Sequence, residues 1–149
     1  MNDELKNLID TAMRREIESR ALYEVAQAKS NNPIAKKLFK ALAGEEEQHL
    51  EMIKKLGSDN VVMSSTSKEM LLGLKKSEFM LEEVIPKDMS VGEILMMAIK
   101  REQAALEFYS KMCSVFQKKE AKSLCEDLSH AELKHKVKLE LMYDDLFYG

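Results

Sequence analysis

Apolar residues recur along four stretches of the chain in alternating steps of three and four, the spacing that lines one face of an α-helix. The first stretch carries Leu5, Ile9, Ala12, Glu16, Ser19, Tyr23 and Ala26, and the second Ala35, Leu38, Leu42, Glu46, His49, Ile53 and Leu56. The third carries Val91, Leu95, Ala98, Glu102, Ala105, Tyr109, Met112 and Phe116, and the fourth Ala121, Leu124, Leu128, Glu132, His135, Leu139, Met142 and Leu146. The pattern predicts four amphipathic helices, and each apolar stripe is broken near its middle by a carboxylate.

Local signals place the helix ends. The first helix is predicted from Asp3 to Lys29 and stops at Ser30-Asn31-Asn32, where short polar side chains compete for the backbone. Pro33 suits the first position of the next helix after an Asn32 cap, and Gly57 suits that helix's C-terminal end. Ser90 and Glu93 have the spacing of a capping box, which starts the third helix. Residues 57–90 exceed the roughly 2–8 residues that join antiparallel neighbours in a bundle. They predict a crossover running the length of the bundle, with the third helix parallel to the second and a short surface helix over Ser67 to Lys76. The expected organisation is a single all-α domain over residues 1–149: a hairpin over 3–56, a crossover over 57–90 and a second hairpin over 91–147.

Composition agrees with that picture and narrows the partners. Five Gly and two Pro leave few helix breakers, while 45% apolar and 33% charged residues are ordinary for a globular chain. The 23 basic and 26 acidic residues alternate rather than cluster, so neither nucleic acid nor a membrane surface is an expected partner. The start, Met-Asn-Asp-Glu-Leu-Lys, has no basic and apolar leader, so a cytoplasmic location is expected. Cys113 and Cys125 form no Cys-x-x-Cys motif and are expected to pack as small hydrophobes, and the eleven Met residues as adaptable filling.

An internal repeat gives the charged residues meaning. A shift of 86 positions lays Ala12-Met-Arg-Arg-Glu16 over Ala98-Ile-Lys-Arg-Glu102, Tyr23 over Tyr109, and Glu46-x-x-His49 over Glu132-x-x-His135. In each copy the two Glu residues are 30 apart with the turn halfway, so both sit ~22 Å from that turn at a rise of 1.5 Å per residue. Four carboxylates and two imidazoles should therefore meet at one depth inside the bundle. Losing hydration costs a bare carboxylate several kcal/mol, which a small domain cannot absorb four times over. No Lys or Arg falls on the inward stripes at this level, so bound divalent cations are the expected solution. Mixed carboxylate and imidazole donors suit iron, manganese or zinc better than magnesium or calcium. The expected assignment gives one ion Glu16 and His49, the other Glu102 and His135, with Glu46 and Glu132 bridging.

Other candidates are weighed against plainer roles. Tyr23 and Tyr109, two turns beyond Glu16 and Glu102, are either hydrogen-bond partners of ligand carboxylates or ordinary core tyrosines. His130, with Asp127 three residues before it, lies off the inward face and is expected at the surface, as are Glu45 and Glu47.

At Glu16 through Tyr23, Glu46-x-x-His49, Glu102 through Tyr109 and Glu132-x-x-His135, the chain resembles the rubrerythrin family of the ferritin-like superfamily. The resemblance implies a ferritin-like four-helix bundle holding two iron ions on the six residues named. It also implies an iron pair that cycles between ferrous and ferric states and reduces hydrogen peroxide or oxygen, often in oxidative-stress defence. Two positions depart from the pattern. No rubredoxin-like segment with paired Cys-x-x-Cys motifs follows the bundle, so electrons are expected from a separate donor such as a rubredoxin. Ala105 stands where family members carry an extra Glu ligand, which bears on peroxidase activity. The alternatives are ferritin-type iron oxidation and storage, and a non-catalytic bundle stabilised by zinc or manganese. A homodimer that exchanges hairpins through residues 57–90 is compatible with the length of that stretch.

Overall fold

The computed structural model describes residues 3–60 and 88–148. They form four helices: α1 (Asp3–Lys29), α2 (Pro33–Asn60), α3 (Val91–Cys113) and α4 (Lys119–Phe147). The expected surface helix over 67–76, and most of the crossover, lie outside the described residues.

The ends follow the local chemistry. Asn32 Oδ1 accepts from the backbone N–H groups of Ile34 (2.9 Å) and Ala35 (3.1 Å), donors that the first turn of α2 would otherwise leave unpaired. At α3 the Ser90 hydroxyl accepts from Glu93 N at 3.1 Å while the Glu93 carboxylate reaches back to Ser90 N at 3.4 Å, completing the capping box. Two boundaries differ from expectation. Helix α2 runs through Gly57 to Asn60, because Gly57 does not take the left-handed conformation that ends a helix. Helix α3 stops at Cys113, so Phe116 is buried from the turn rather than from the helix stripe.

The core has two apolar clusters, one at each end of the bundle. One joins Ile9, Met13 and Ile17 of α1 to Leu50 and Ile53 of α2, Tyr109 and Met112 of α3, and Leu128 of α4. The other joins Leu22 and Ala26 to Phe39 and Leu42, Ile94 and Leu95, and Leu139. Each fully buried Leu, Ile or Phe contributes on the order of 1.5–3 kcal/mol relative to exposure. The clusters also fix direction. The second half of α2 and the second half of α3 share one end, so these helices run parallel, and the end of α2 and the start of α3 lie at opposite ends of the bundle. Hairpin partners α1–α2 and α3–α4 pack most extensively, and α1 against α3 and α2 against α4 close the bundle. Among the described residues no helix is long and apolar enough to cross a membrane.

Candidate metal centre

Between the two clusters lies a polar layer. Glu16, Glu46, Glu102, Glu132 and His135 are 1–2% exposed and His49 is 7% exposed, although each is a residue type that rarely enters a core unpaired. The structure brings all six predicted residues together: Glu16 from α1, Glu46 and His49 from α2, Glu102 from α3, and Glu132 and His135 from α4.

They form two overlapping sets. One donor atom each from Glu16, Glu46, His49 and Glu132 lie within 4.8 Å of one another, and so do one each from Glu46, Glu102, Glu132 and His135. Glu46 and Glu132 belong to both. His49 Nδ1 lies 3.0 Å from Glu132 Oε1, 3.7 Å from Glu16 Oε2 and 3.9 Å from Glu46 Oε1. His135 Nδ1 lies 2.8 Å from Glu46 Oε1, 3.6 Å from Glu102 Oε2 and 3.7 Å from Glu132 Oε2. Each imidazole thus turns the same nitrogen toward three carboxylates, and the two rings stack with centroids 5.5 Å apart.

The layer is braced from outside. The Tyr23 hydroxyl donates to Glu102 Oε1 and the Tyr109 hydroxyl to Glu16 Oε1, so each tyrosine holds the carboxylate of the other hairpin. Burial, reinforced by the neighbouring carboxylates, keeps both phenols well above their ordinary pKa and therefore protonated as donors. Glu45 and Glu47, expected only as solvated flanks, each have a partner. Glu45 Oε2 lies 2.6 Å from His135 Nε2, and Glu47 pairs with Arg20 across to α1. No sequence signal on α2 marks Glu45, because its partner lies 90 residues away on another helix. His130 is exposed, as expected, and with Glu45, Gln48 and Lys134 lines a cleft of about 360 Å³ between α2 and α4 that reaches His49 and His135. The Cys113 and Cys125 thiols influence each other as neighbours of α3 and α4, which their spacing did not reveal. Burial raises both pKa values, Cys125 to about 12, which favours the protonated thiols.

Electrostatics show what the layer lacks. Burial pushes the Glu46 carboxyl above its usual range, and Glu16 and Glu132 beside it add to the rise. Burial likewise raises Glu102, to about 8. Burial alone would lower His49, but the Glu132 and Glu16 carboxylates beside it outweigh that effect and raise the imidazole to about 9. His135 rises in the same way: burial opposes the shift, and Glu102, Glu132 and Glu46 drive it. Glu132 is held low, against its own burial, by Glu102 and the two imidazoles. With protein groups alone, the layer is tolerable only by retaining protons that its carboxylates and imidazoles would shed in water.

The donor set fits a pair of cations better than it fits those protons. Glu16 Oε2, Glu46 Oε1, Glu102 Oε2 and His135 Nδ1 are all buried without a hydrogen bond. Even the 2.8 Å approach of His135 Nδ1 to Glu46 Oε1 is not aligned as a hydrogen bond. Such orphaned atoms are costly in a core, and a divalent ion in each set would satisfy them. No Lys or Arg is buried among the described residues to offer an alternative.

Comparison with known proteins is consistent with this geometry. The family model for rubrerythrin matches residues 1–59, which include Glu16, Glu46 and His49. No curated protein matches the chain. Among solved structures, a two-domain protein from Anabaena variabilis containing DJ-1/ThiJ/PfpI-like and ferritin-like domains superposes with a TM-score of 0.84 at 13% identity. The match covers 100% of this chain and 41% of that one, so the chain spans about two fifths of that protein's length. A hypothetical protein from Pyrococcus furiosus superposes with a TM-score of 0.74 at 22% identity, over 94% of this chain and 88% of that one. At these identities the likeness shows the fold. The chain is thus an all-α four-helix bundle whose first 59 residues are similar to rubrerythrin and whose fold is like that of these solved structures.

Proposed function

We propose that the protein is a di-iron oxidoreductase that reduces peroxide or oxygen with electrons from an external donor such as a rubredoxin. The observation that carries the reading is the pair of donor sets sharing Glu46 and Glu132. Glu16 and His49 would complete one set and Glu102 and His135 the other. Carboxylate and imidazole donors suit iron, manganese and zinc; the redox assignment sets zinc aside, and the similarity to rubrerythrin favours iron. When bound, an iron pair supplies two electrons at one place, the number that cleaves a peroxide bond.

The chain's own groups do the remaining work. The shared carboxylates of Glu46 and Glu132 can change how they divide their oxygens between the sets, which accommodates a change in charge without moving a helix. Tyr23 and Tyr109 hold Glu102 and Glu16 through protons that stay on the phenol oxygens. Glu45, accepting from His135 Nε2, leaves Nδ1 as the nitrogen that faces the site. The apolar clusters on both sides keep bulk water from the layer, and the cleft reaching His49 and His135 offers a small oxidant a way in. Ala105 is buried beside the layer and brings no further carboxylate to it.

The test is anaerobic reconstitution with ferrous iron followed by limiting peroxide. Binding of two ions per chain, and one peroxide consumed per two ferrous ions oxidised, with turnover restored by an added reductant, is the expected outcome. Tight binding of the ion pair with no peroxide or oxygen consumption would support a structural metal site instead.

A further inference from the structure

The face of the bundle opposite the histidine cleft carries a second cleft, between α1 and α3, of about 260 Å³. Its lining includes Arg15, Ser19, Lys100, Arg101 and Ala105. The two arginines are equivalent positions of the internal repeat, 86 residues apart, so they approach the cleft from its two sides. We propose that this cleft binds a small inorganic oxyanion of phosphate size between Arg15 and Arg101.

The side chains are disposed for that ligand. The Arg15 guanidinium lies over the Phe108 ring, 4.8 Å from its centroid, and among the described residues no carboxylate pairs with it. The Arg101 guanidinium is held more loosely, with one terminal nitrogen 3.4 Å from both Ser19 Oγ and Glu18 Oε2. In both arginines Nε is buried and donates to nothing. A buried guanidinium donor without an acceptor is costly, and an oxyanion supplies acceptors in the forked geometry that guanidinium prefers. The buried Ser19 hydroxyl adds a neutral donor, and Lys100 adds charge at the exposed rim. Against these three cations stands one carboxylate, Glu18, and Ala105 contributes only a methyl group to the lining. A concave site dominated by one sign of charge concentrates counter-ions. The histidine cleft has no such bias, because Glu45 and Asp127 there offset Lys134 and Lys138. Neither arginine belongs to the metal donor sets, so the inference does not depend on which ion those sets hold.

Titration calorimetry of inorganic phosphate into the full chain as purified, at low ionic strength and with metal content measured, tests the site. Saturable binding of one phosphate per chain is expected. Arg15→Gln and Arg101→Gln should each weaken it at least ~10-fold, since a charge-assisted pair is lost, while metal content and helical circular dichroism stay unchanged. Arg101→Lys keeps the charge but not the fork and should recover only part of the affinity. Lys134→Gln, in the opposite cleft, should change nothing. Absence of saturable binding, wild-type affinity in both glutamine variants, or full affinity in Arg101→Lys would overturn the proposal. So would phosphate binding that follows metal content instead of the arginines.

Discussion

Tyr23 on α1 donates its hydroxyl to Glu102 on α3, although the two residues belong to different hairpins and lie 79 positions apart. Tyr109 does the same for Glu16. The repeat thus reaches beyond sequence into the support of the site, with each half bracing a carboxylate of the other. Fixing a donor group in this way commonly changes metal affinity by one or two orders of magnitude.

Tyr23→Phe and Tyr109→Phe should therefore keep the fold and still bind metal, but ~10-fold or more weaker in competition with a chelator. The two variants should behave alike because their surroundings are related by the repeat. A chelator titration indistinguishable from wild type would show that the tyrosines merely fill space.

Glu45 acts through His135. Glu45→Ala should weaken binding in the set containing His135, with Glu45→Gln intermediate because an amide oxygen can still accept from Nε2. Stepwise titration with a divalent ion, one site weakened and the other kept, is the expected signature.

The metal-free protein should lose stability as pH rises. Glu102 is raised from 4.5 to about 8 and His49 from 6.5 to about 9, so over these windows the folded state binds more protons than the unfolded state. Stability is then greatest on the acid side of each window and falls as pH climbs through it. Metal-loaded protein should show the opposite trend over the same range, because cations need the deprotonated donors. Thermal melts of both forms between roughly pH 6 and 9 check the two slopes, and parallel slopes would contradict the account.

Much of this was legible in the sequence. The periodic stripes place α1 through α4, and the 86-residue repeat alone puts Glu16, Glu46, Glu102 and Glu132 at one depth. Residues hidden from that reading are those defined by contacts between helices. Glu45 reads as one of three consecutive acids on α2, and only the approach of α4 reveals that it meets His135. The tyrosines were legible as candidate partners of ligand carboxylates, but their crossed pairing was not, since spacing along a helix says which face a residue occupies but not which neighbour it meets. Gly57 misled for a different reason: glycine permits a helix to end without requiring it.

The central claim is that Glu46 and Glu132 serve both ions. Metal stoichiometry of Glu46→Ala and Glu132→Ala, measured on folded protein, tests it most directly, with Glu16→Ala and Glu102→Ala as comparisons. The account predicts that either bridging variant loses the ion pair while the helical signal survives, whereas Glu16→Ala and Glu102→Ala each weaken mainly one site. Retention of two ions per chain in Glu46→Ala or Glu132→Ala would contradict it.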